Sequence, residues 1–351
     1  MEQNKAKGFG GFGIAMTYVG TVIGAGFASG QELFQFFGAF GAKGVIGTII
    51  AGALFSFLGV VCMLTAKNLN IGDYEKVVSP NNVVVKGFFN LLITFFSFGV
   101  MVIMFAGAGS LFATLTGLSP TVGAAIMIVI VVVTVLLGSE ATINSFSVIV
   151  PIMVIIGVVV AVIAFSKGPD SFASAPVHLE RAAAGNWILT ALLYVSFNTI
   201  CAICVLAPMG FEARTRKDAK LGGILGGVTL GGLALFIVLG LITNQTEMLT
   251  NDMPMYAIAS SMNKFLGAAY AFMLLGAIFT TAAGLLFGLK NRKLVVLIIA
   301  VLGLIGSLAG FTTLVGTLYP ATGYLGFLII ATLCYNYFKS VKTPKSEEQE
   351  A

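Results

Sequence analysis

Charged residues are scarce in this sequence: Asp, Glu, Lys and Arg make up 9% of its 351 residues, against roughly 25% in an ordinary soluble domain. Hydrophobic residues make up 58%, and the mean hydropathy is +1.01. This composition excludes disordered, collagen-like and disulfide-stapled chains and predicts a protein surrounded by membrane lipid. The 19 Lys and Arg lie in short clusters between apolar runs, which argues against a nucleic-acid partner.

Histidine and cysteine are also rare, with one and four residues respectively. Cys201 and Cys204 have the spacing of a metal or redox motif, but the single histidine, His178, is in a distant loop. We therefore interpret the two cysteines as packing residues of a membrane helix. The apolar runs contain neither a His-carboxylate metal set nor a nucleophile paired with a base, so the sequence does not predict an enzyme.

Long apolar runs dominate what remains. A membrane-spanning helix needs about 20 apolar residues, and the breaks between the runs define ten segments. Their ranges are 8–38, 43–66, 84–116, 121–138, 142–166, 187–211, 219–243, 264–289, 293–309 and 312–338. The sequence thus predicts an all-α integral membrane protein with ten transmembrane helices.

The basic residues predict the orientation of these helices. If the N-terminus is cytoplasmic, fifteen Lys and Arg fall inside and four outside, as expected because cytoplasmic loops are enriched in Lys and Arg. We predict a multi-pass protein of the bacterial inner membrane with both termini in the cytoplasm. The polar stretch 339–351 is expected to be a disordered cytoplasmic tail.

The spacing of the segments contains a repeat. Segments six to ten start 170 to 180 residues after segments one to five. We therefore expect one transmembrane domain made of two five-helix halves, 8–166 and 187–338. Because five is odd, the second half must be inverted relative to the first, an arrangement typical of secondary transporters.

Segment one, 8–38, is too long for a straight span: 31 residues would extend about 46 Å against a hydrocarbon core of about 30 Å. Gly20, Gly24 and Gly26 lie at its centre, so we expect an unwound stretch at 23–26. Free carbonyls at such a break suit a cation, and free N–H groups suit an anionic group. The alternative is that the glycines only allow close helix packing.

Segment six should break in the same way if the repeat holds. Ser196, Asn198 and Thr199 lie near its middle, and Pro208 removes a backbone donor further along. The alternative is a continuous helix kinked at the proline.

Glu32 is the one acid in the apolar interior of a segment. With Ser29, Gln31 and Gln35 it forms a polar arc expected to line a water-accessible cavity. A carboxylate there costs at least a few kcal/mol unless it is solvated, paired or neutralised. We expect it about two turns beyond the break, where Gln31 and Glu32 gate the outer vestibule without touching a solute bound at 23–27. Alternatively, Glu32 attracts a cation, carries a proton or makes a structural hydrogen bond.

Thr280 and Thr281 of segment eight lie at the depth where the first half of segment one should end. Two hydroxyl oxygens beside free carbonyls would make a site for a small alkali cation. The alternative is helix packing, with both hydroxyls bonded back to their own helix.

These features resemble a known superfamily. VIGAGF in segment one, FTTA in segment eight and the five-plus-five repeat are similar to the amino acid–polyamine–organocation superfamily with the LeuT-type fold. TYVGTVIGAGFASGQELFQFFG resembles the first helix of YkvI-like bacterial membrane proteins. The resemblance implies a sodium site at Gly20, Ile23, Ala277, Thr280 and Thr281. It implies a substrate site walled by third-segment phenylalanines and formed by Ile23, Gly24, Ala25, Gly26, Phe27, Tyr194, Phe197 and Asn198.

The resemblance also implies a function: sodium-coupled symport of a small amino acid-like or amine-bearing solute by alternating access. Proton-coupled relatives often carry a lysine in the fifth helix, and 142–166 has none, which favours sodium over protons. Amino acid carriers of this fold often use a third-helix tyrosine, and 84–116 has none, which leaves the substrate open. The alternatives are a proton-coupled transporter and a solute-sensing subunit like the spore-germinant receptors. The oligomeric state is not predicted.

Overall fold

The computed structural model describes residues 8–78, 83–137, 139–172, 175–287 and 293–342. Regular structure in these residues is helical apart from a single bridge between Phe9 and Ala213. The α-helices are α1 (Gly11–Val22), α2 (Ala25–Ser29), α3 (Gln31–Phe36), α4 (Ala42–Leu69), α5 (Tyr74–Val78), α6 (Val83–Thr116), α7 (Pro120–Leu137), α8 (Ser139–Lys167), α9 (Trp187–Phe211), α10 (Arg216–Ile242), α11 (Gln245–Thr250), α12 (Pro254–Met262), α13 (Lys264–Phe287), α14 (Lys293–Ser307) and α15 (Phe311–Lys342).

The helices match the apolar segments of the sequence within a few residues. Among the described residues, seven helices are long and apolar enough to cross a membrane: α4, α6, α7, α9, α10, α13 and α15. Three shorter apolar helical stretches, Gly11–Val22, Pro151–Lys167 and Leu294–Ser307, accompany them. Helices satisfy their own backbone groups, which is what allows such segments to lie in lipid. The protein is therefore a multi-pass, all-helical membrane protein.

Segment one is interrupted twice. Helix α1 ends at Val22 and α2 begins at Ala25, so Ile23 and Gly24 lie outside both helices, within the stretch expected to unwind. A second interruption at Gly30, which the sequence analysis did not anticipate, separates α2 from α3.

Segment six corrects an expectation, because α9 is continuous from Trp187 to Phe211. Its polar side chains bond without opening the helix: Thr199 Oγ1 donates to the carbonyl of Val195 at 2.7 Å and Asn198 Nδ2 to that of Tyr194 at 3.0 Å. Without a glycine among residues 196–204, the helical conformation remains the favourable one.

The last helix also differs from expectation. Helix α15 extends to Lys342, so residues 339–342 are helical rather than part of a disordered tail. Residues 343–351 of the predicted tail lie outside the described residues.

The two predicted halves interleave. Helix α4 packs against α9 and α10, α1 packs against α10, and α13 packs against α6 and α8. Helices α4 and α10 cross so closely that a Cβ added to Gly231 would lie only 2.5 Å from the Cα of Gly52. Small residues allow this approach, as is usual in membrane bundles. The elements that surround the middle of segment one therefore come from both halves.

Loop contacts fall into two groups at opposite ends of the long helices. At the end predicted to be cytoplasmic, Lys67 Nζ donates to the carbonyls of Phe211 at 3.2 Å and Ala213 at 2.6 Å, and Arg214 Nε donates to that of Gly8 at 2.8 Å. At the end predicted to be outer, Asp252 accepts hydrogen bonds from Ser110 at 3.2 Å and from Thr312 at 2.6 Å. Each group ties separate parts of the chain together at one end of the bundle.

Candidate functional site

The first interruption of segment one leaves backbone groups outside the helical pattern. The amide of Gly24 bonds to the carbonyl of Val22 at 2.9 Å, and the amide of Ala25 bonds to the sulfur of Met104 at 3.3 Å. Because an α-helix would pair these two amides with the carbonyls of Gly20 and Thr21, those carbonyls lose their helical donors. The break therefore offers carbonyl oxygens inside the bundle.

Helix α13 lies against this break. Thr281 Oγ1 is buried and has no hydrogen-bond partner among the described residues. A Cβ added to Gly24 would lie 3.7 Å from that oxygen. Thr280 Oγ1 donates to the carbonyl of Ala277 at 3.2 Å, so of the two predicted hydroxyls one is bonded to its own helix and the other is free.

Tyr270 fixes the position of α13. Its hydroxyl donates to the carbonyl of Ala28 at 2.6 Å, across 242 residues of sequence. This bond ties α13 to α2, directly beyond the break. The arrangement brings one α13 residue of the predicted sodium site, Thr281, close to Gly24. Carbonyl and hydroxyl oxygens are the ligands that small alkali cations take.

The second interruption turns the chain sharply. Gly30 has φ +82°, the left-handed region that glycine adopts without steric cost. Ser29 Oγ accepts from the amide of Gln31 at 3.2 Å and donates to the carbonyl of Gly26 at 3.2 Å. There is no room for a side chain at the turn, because a Cβ on Gly30 would lie 2.7 Å from Cγ of Met255.

This turn corrects the expected position of Glu32. In place of a position two turns beyond the break, the side chain lies against α2: Glu32 Oε2 is 2.5 Å from the position that a Cβ would take on Gly26. Tyr194 and Asn198 of α9 are its polar neighbours. The expected separation from the stretch 23–27 is therefore wrong, because it assumed a continuous helix through Gly30.

The polar arc of segment one lies inside the protein. Ser29, Gln31, Glu32 and Gln35 are all buried, with Glu32 only 3% exposed. Gln35 Nε2 donates to the carbonyl of Thr312 at 3.3 Å. One oxygen each of Gln31, Glu32 and Gln35 has no partner among the described residues.

A cluster of aromatic rings lies beside Glu32. Phe197 stacks on Tyr319 with ring centroids 4.4 Å apart and planes 4° apart, and Tyr194 meets Phe197 edge to face at 5.4 Å. Phe36 of α3 lies 5.3 Å from Tyr194, and Phe96 of α6 lies 6.3 Å from Phe197. The predicted Tyr194, Phe197 and Asn198 thus come together beside the break, and Phe96 is one of the expected third-segment phenylalanines.

Several residues of this site have no signal in the sequence. Tyr319 enters from α15, Met104 from α6 and Tyr270 from α13, each within an otherwise apolar run. Segment three has no tyrosine. The aromatic hydroxyls near Glu32 come instead from Tyr194 on α9 and Tyr319 on α15.

Comparisons with known proteins agree with this architecture. No family model matches the chain. It is 29% identical over 347 residues to the uncharacterized membrane protein YkvI of Bacillus subtilis, which covers 95% of this chain and 97% of the relative. The predicted resemblance to YkvI-like proteins is therefore confirmed.

Solved structures show the same fold at low sequence identity. The crystal structure of MhsT in complex with L-phenylalanine matches with a TM-score of 0.69 at 15% identity, covering 98% of this chain and 94% of that one. The outward-open structure of a Na⁺-coupled sialic acid symporter matches with a TM-score of 0.65 at 13% identity, covering 95% of this chain and 79% of that one. The chain therefore has the LeuT-type fold that the sequence motifs predicted.

Proposed function

We propose that this protein is a secondary active transporter that couples the entry of sodium to the uptake of a small amino acid-like or amine-bearing solute. The observation that carries the proposal is the break at Ile23–Gly24 beside the free, buried hydroxyl of Thr281. A free hydroxyl in a membrane interior is costly unless something binds it. A sodium ion held by this hydroxyl and by the carbonyls of the break would satisfy these groups together.

The architecture in this proposal is ten spans in an inverted five-plus-five repeat, with segment one broken and segment six continuous. Helices α1, α4, α9 and α10 would rock against α6, α7, α13 and α14, exposing the centre to each side in turn. The candidate site lies between these two groups, because Tyr194 and Phe197 belong to the first and Phe96 and Thr281 to the second. A solute bound there contacts both groups and can stabilise one arrangement over the other.

The buried state of the site fits an occluded step of such a cycle. Glu32, Tyr194 and Tyr319 have almost no solvent exposure, and hydrogen bonds join helices to loops at both ends of the bundle. The named neighbours, a protein with bound L-phenylalanine and a Na⁺-coupled sialic acid symporter, support a small organic solute and sodium as the pair to test first.

The deciding experiment uses purified protein in proteoliposomes. A screen of amino acids, betaines and polyamines for thermal stabilisation, in Na⁺ and in K⁺, would select solutes. Uptake of each selected solute would then be measured with an inward Na⁺ gradient, an inward proton gradient or neither. Acceleration by the Na⁺ gradient is expected. Acceleration by the proton gradient alone would indicate a proton-coupled transporter, and binding without uptake would indicate a solute sensor.

A further inference from the structure

We infer that the ammonium group of the solute binds to the carboxylate of Glu32, within the ring of aromatic side chains formed by Tyr194, Phe197 and Tyr319. The inference rests on the proposed function and identifies the part of the solute that the site recognises. It also changes the role of Glu32 from an outer gate to a substrate ligand, because the turn at Gly30 returns its side chain to Gly26 in α2, just beyond the break.

Glu32 lacks a countercharge. Ion pairs among the described residues join Lys76 with Asp73, Lys86 with Glu75 and His178 with Glu180, and Glu32 takes part in none of them. Its Oε1 is buried without a hydrogen-bond partner. A carboxylate in the membrane interior is expensive unless it is paired. A cationic group from the solute would supply the missing partner.

The hydrogen-bond donors and acceptors around Glu32 are not balanced. The unpartnered oxygens of Gln31, Glu32 and Gln35 are all acceptors. The amide nitrogen of Asn198 already donates to the carbonyl of Tyr194 at 3.0 Å. The hydroxyl of Tyr194 beside Glu32 is the one unpartnered donor among these groups. Three unpartnered acceptors therefore face one unpartnered donor, and the ligand that fits the site carries donors or positive charge.

The aromatic rings beside Glu32 also favour a cation. The stacked pair of Phe197 and Tyr319 and the perpendicular ring of Tyr194 present both ring faces and ring edges near Glu32, with centroid separations of 4.4 and 5.4 Å. Aromatic faces attract alkylated ammonium groups, most strongly where water is excluded. A bare metal ion gains less from such rings than an organic cation, whose alkyl groups are also buried against them.

The test uses pairs of small molecules that differ in the ammonium group: choline with 3,3-dimethylbutan-1-ol, glycine betaine with 3,3-dimethylbutanoate, and 3-methylbutylamine with 3-methylbutan-1-ol. Binding is measured by thermal stabilisation of the full chain. We expect the ammonium member of at least one pair to bind and its counterpart without the ammonium group to bind at least about tenfold more weakly. The three pairs distinguish a quaternary cation, a zwitterion and a primary amine.

Three variants then test which side chain causes the preference for the ammonium compound. Glu32→Gln should weaken binding of the ammonium compound at least about tenfold, and Tyr194→Phe should weaken it less because the ring remains. Glu180→Gln, at an exposed outer position, is the matched control and should bind as wild type. Stabilisation by Na⁺ alone should persist in Glu32→Gln, which shows that the variant is folded and that sodium binds elsewhere.

Several outcomes would overturn the inference. Equal binding of the counterparts that lack the ammonium group, no binding by any ammonium compound, or undiminished binding in Glu32→Gln would each do so. Loss of Na⁺ stabilisation in Glu32→Gln would assign the carboxylate to sodium, and proton uptake that accompanies transport only in wild type would assign it to a proton. Na⁺-driven uptake of a solute without an ammonium group would refute this inference and leave the proposed function intact.

Discussion

The effect of a side chain at Gly30 on the free energy of unfolding can be estimated, because two separate destabilising costs oppose a side chain at this turn. Gly30 has φ +82°, and a left-handed conformation costs an alanine about 1–2 kcal/mol. Its Cβ would also lie 2.7 Å from Cγ of Met255 and 3.2 Å from Cδ2 of Leu241, both of them fully buried side chains. Overpacking of this kind costs about 1–3 kcal/mol. Gly30→Ala should therefore destabilise the protein by about 2–5 kcal/mol.

Gly310 provides the matched control. It has φ +87°, and no atom of the described residues lies within 4 Å of the position of an added Cβ. Gly310→Ala therefore pays only the conformational cost, about 1–2 kcal/mol. Any gain from a stiffer unfolded chain is common to both variants and cancels in the comparison. The difference between the variants, about 1–3 kcal/mol, isolates the steric cost at Gly30.

Unfolding of the two purified variants in mixed detergent micelles would measure this difference. Gly30→Ala should also lower affinity for the solute, because a displaced turn moves Glu32 away from Gly26. Gly310→Ala, between α14 and α15, should not. Equal destabilisation of both variants would refute the contact with Met255, and wild-type solute affinity in Gly30→Ala would refute the link between the turn and the position of Glu32.

Three further predictions concern the ion, the closed end and the topology. Thr281→Ala should raise the Na⁺ concentration needed for stabilisation roughly ten- to hundredfold, as expected when a charged group loses one ligand. Thr134→Ala is the control, because its hydroxyl bonds back to its own helix, and it should leave the Na⁺ dependence unchanged. Equal Na⁺ dependence in the two variants would mean that Thr281 only packs. Lys67→Met removes two hydrogen bonds at the predicted cytoplasmic end and should speed labelling of a cysteine at Ala213 in inside-out vesicles. Lys76→Met, the control, should not change the labelling rate. An unchanged rate in Lys67→Met would mean that these hydrogen bonds do not restrict access to this end of the bundle. In intact cells, cysteines should label at the outer positions and remain unlabelled at the inner ones, and the reverse pattern would contradict the predicted orientation. The outer positions are Ser119, His178 and Asn251, and the inner positions are Asp73 and Lys217.

Hydrophobicity alone determined much of the fold. The apolar segments match the observed helices within a few residues because a run of about 20 apolar residues in lipid has little choice but to form a helix. The first break was also predictable, since glycines 20, 24 and 26 interrupt a segment too long for one span. The motif of segment one and the threonines of segment eight were enough to indicate the fold, which the similar structures confirm.

Only the tertiary structure decided where Glu32 lies and what surrounds it. The turn at Gly30 depends on the left-handed conformation of one glycine and on the Met255 side chain of α12, more than 200 residues away. Tyr319 and Tyr270 reach the site from helices whose sequences look like ordinary lipid-facing runs. Segment six was predicted to break but stays helical, because its polar side chains bond to its own carbonyls or to the carbonyl of Gly323 on α15. Local sequence specifies which residues form helices in lipid, whereas the partners of a buried polar group depend on contacts between distant parts of the chain.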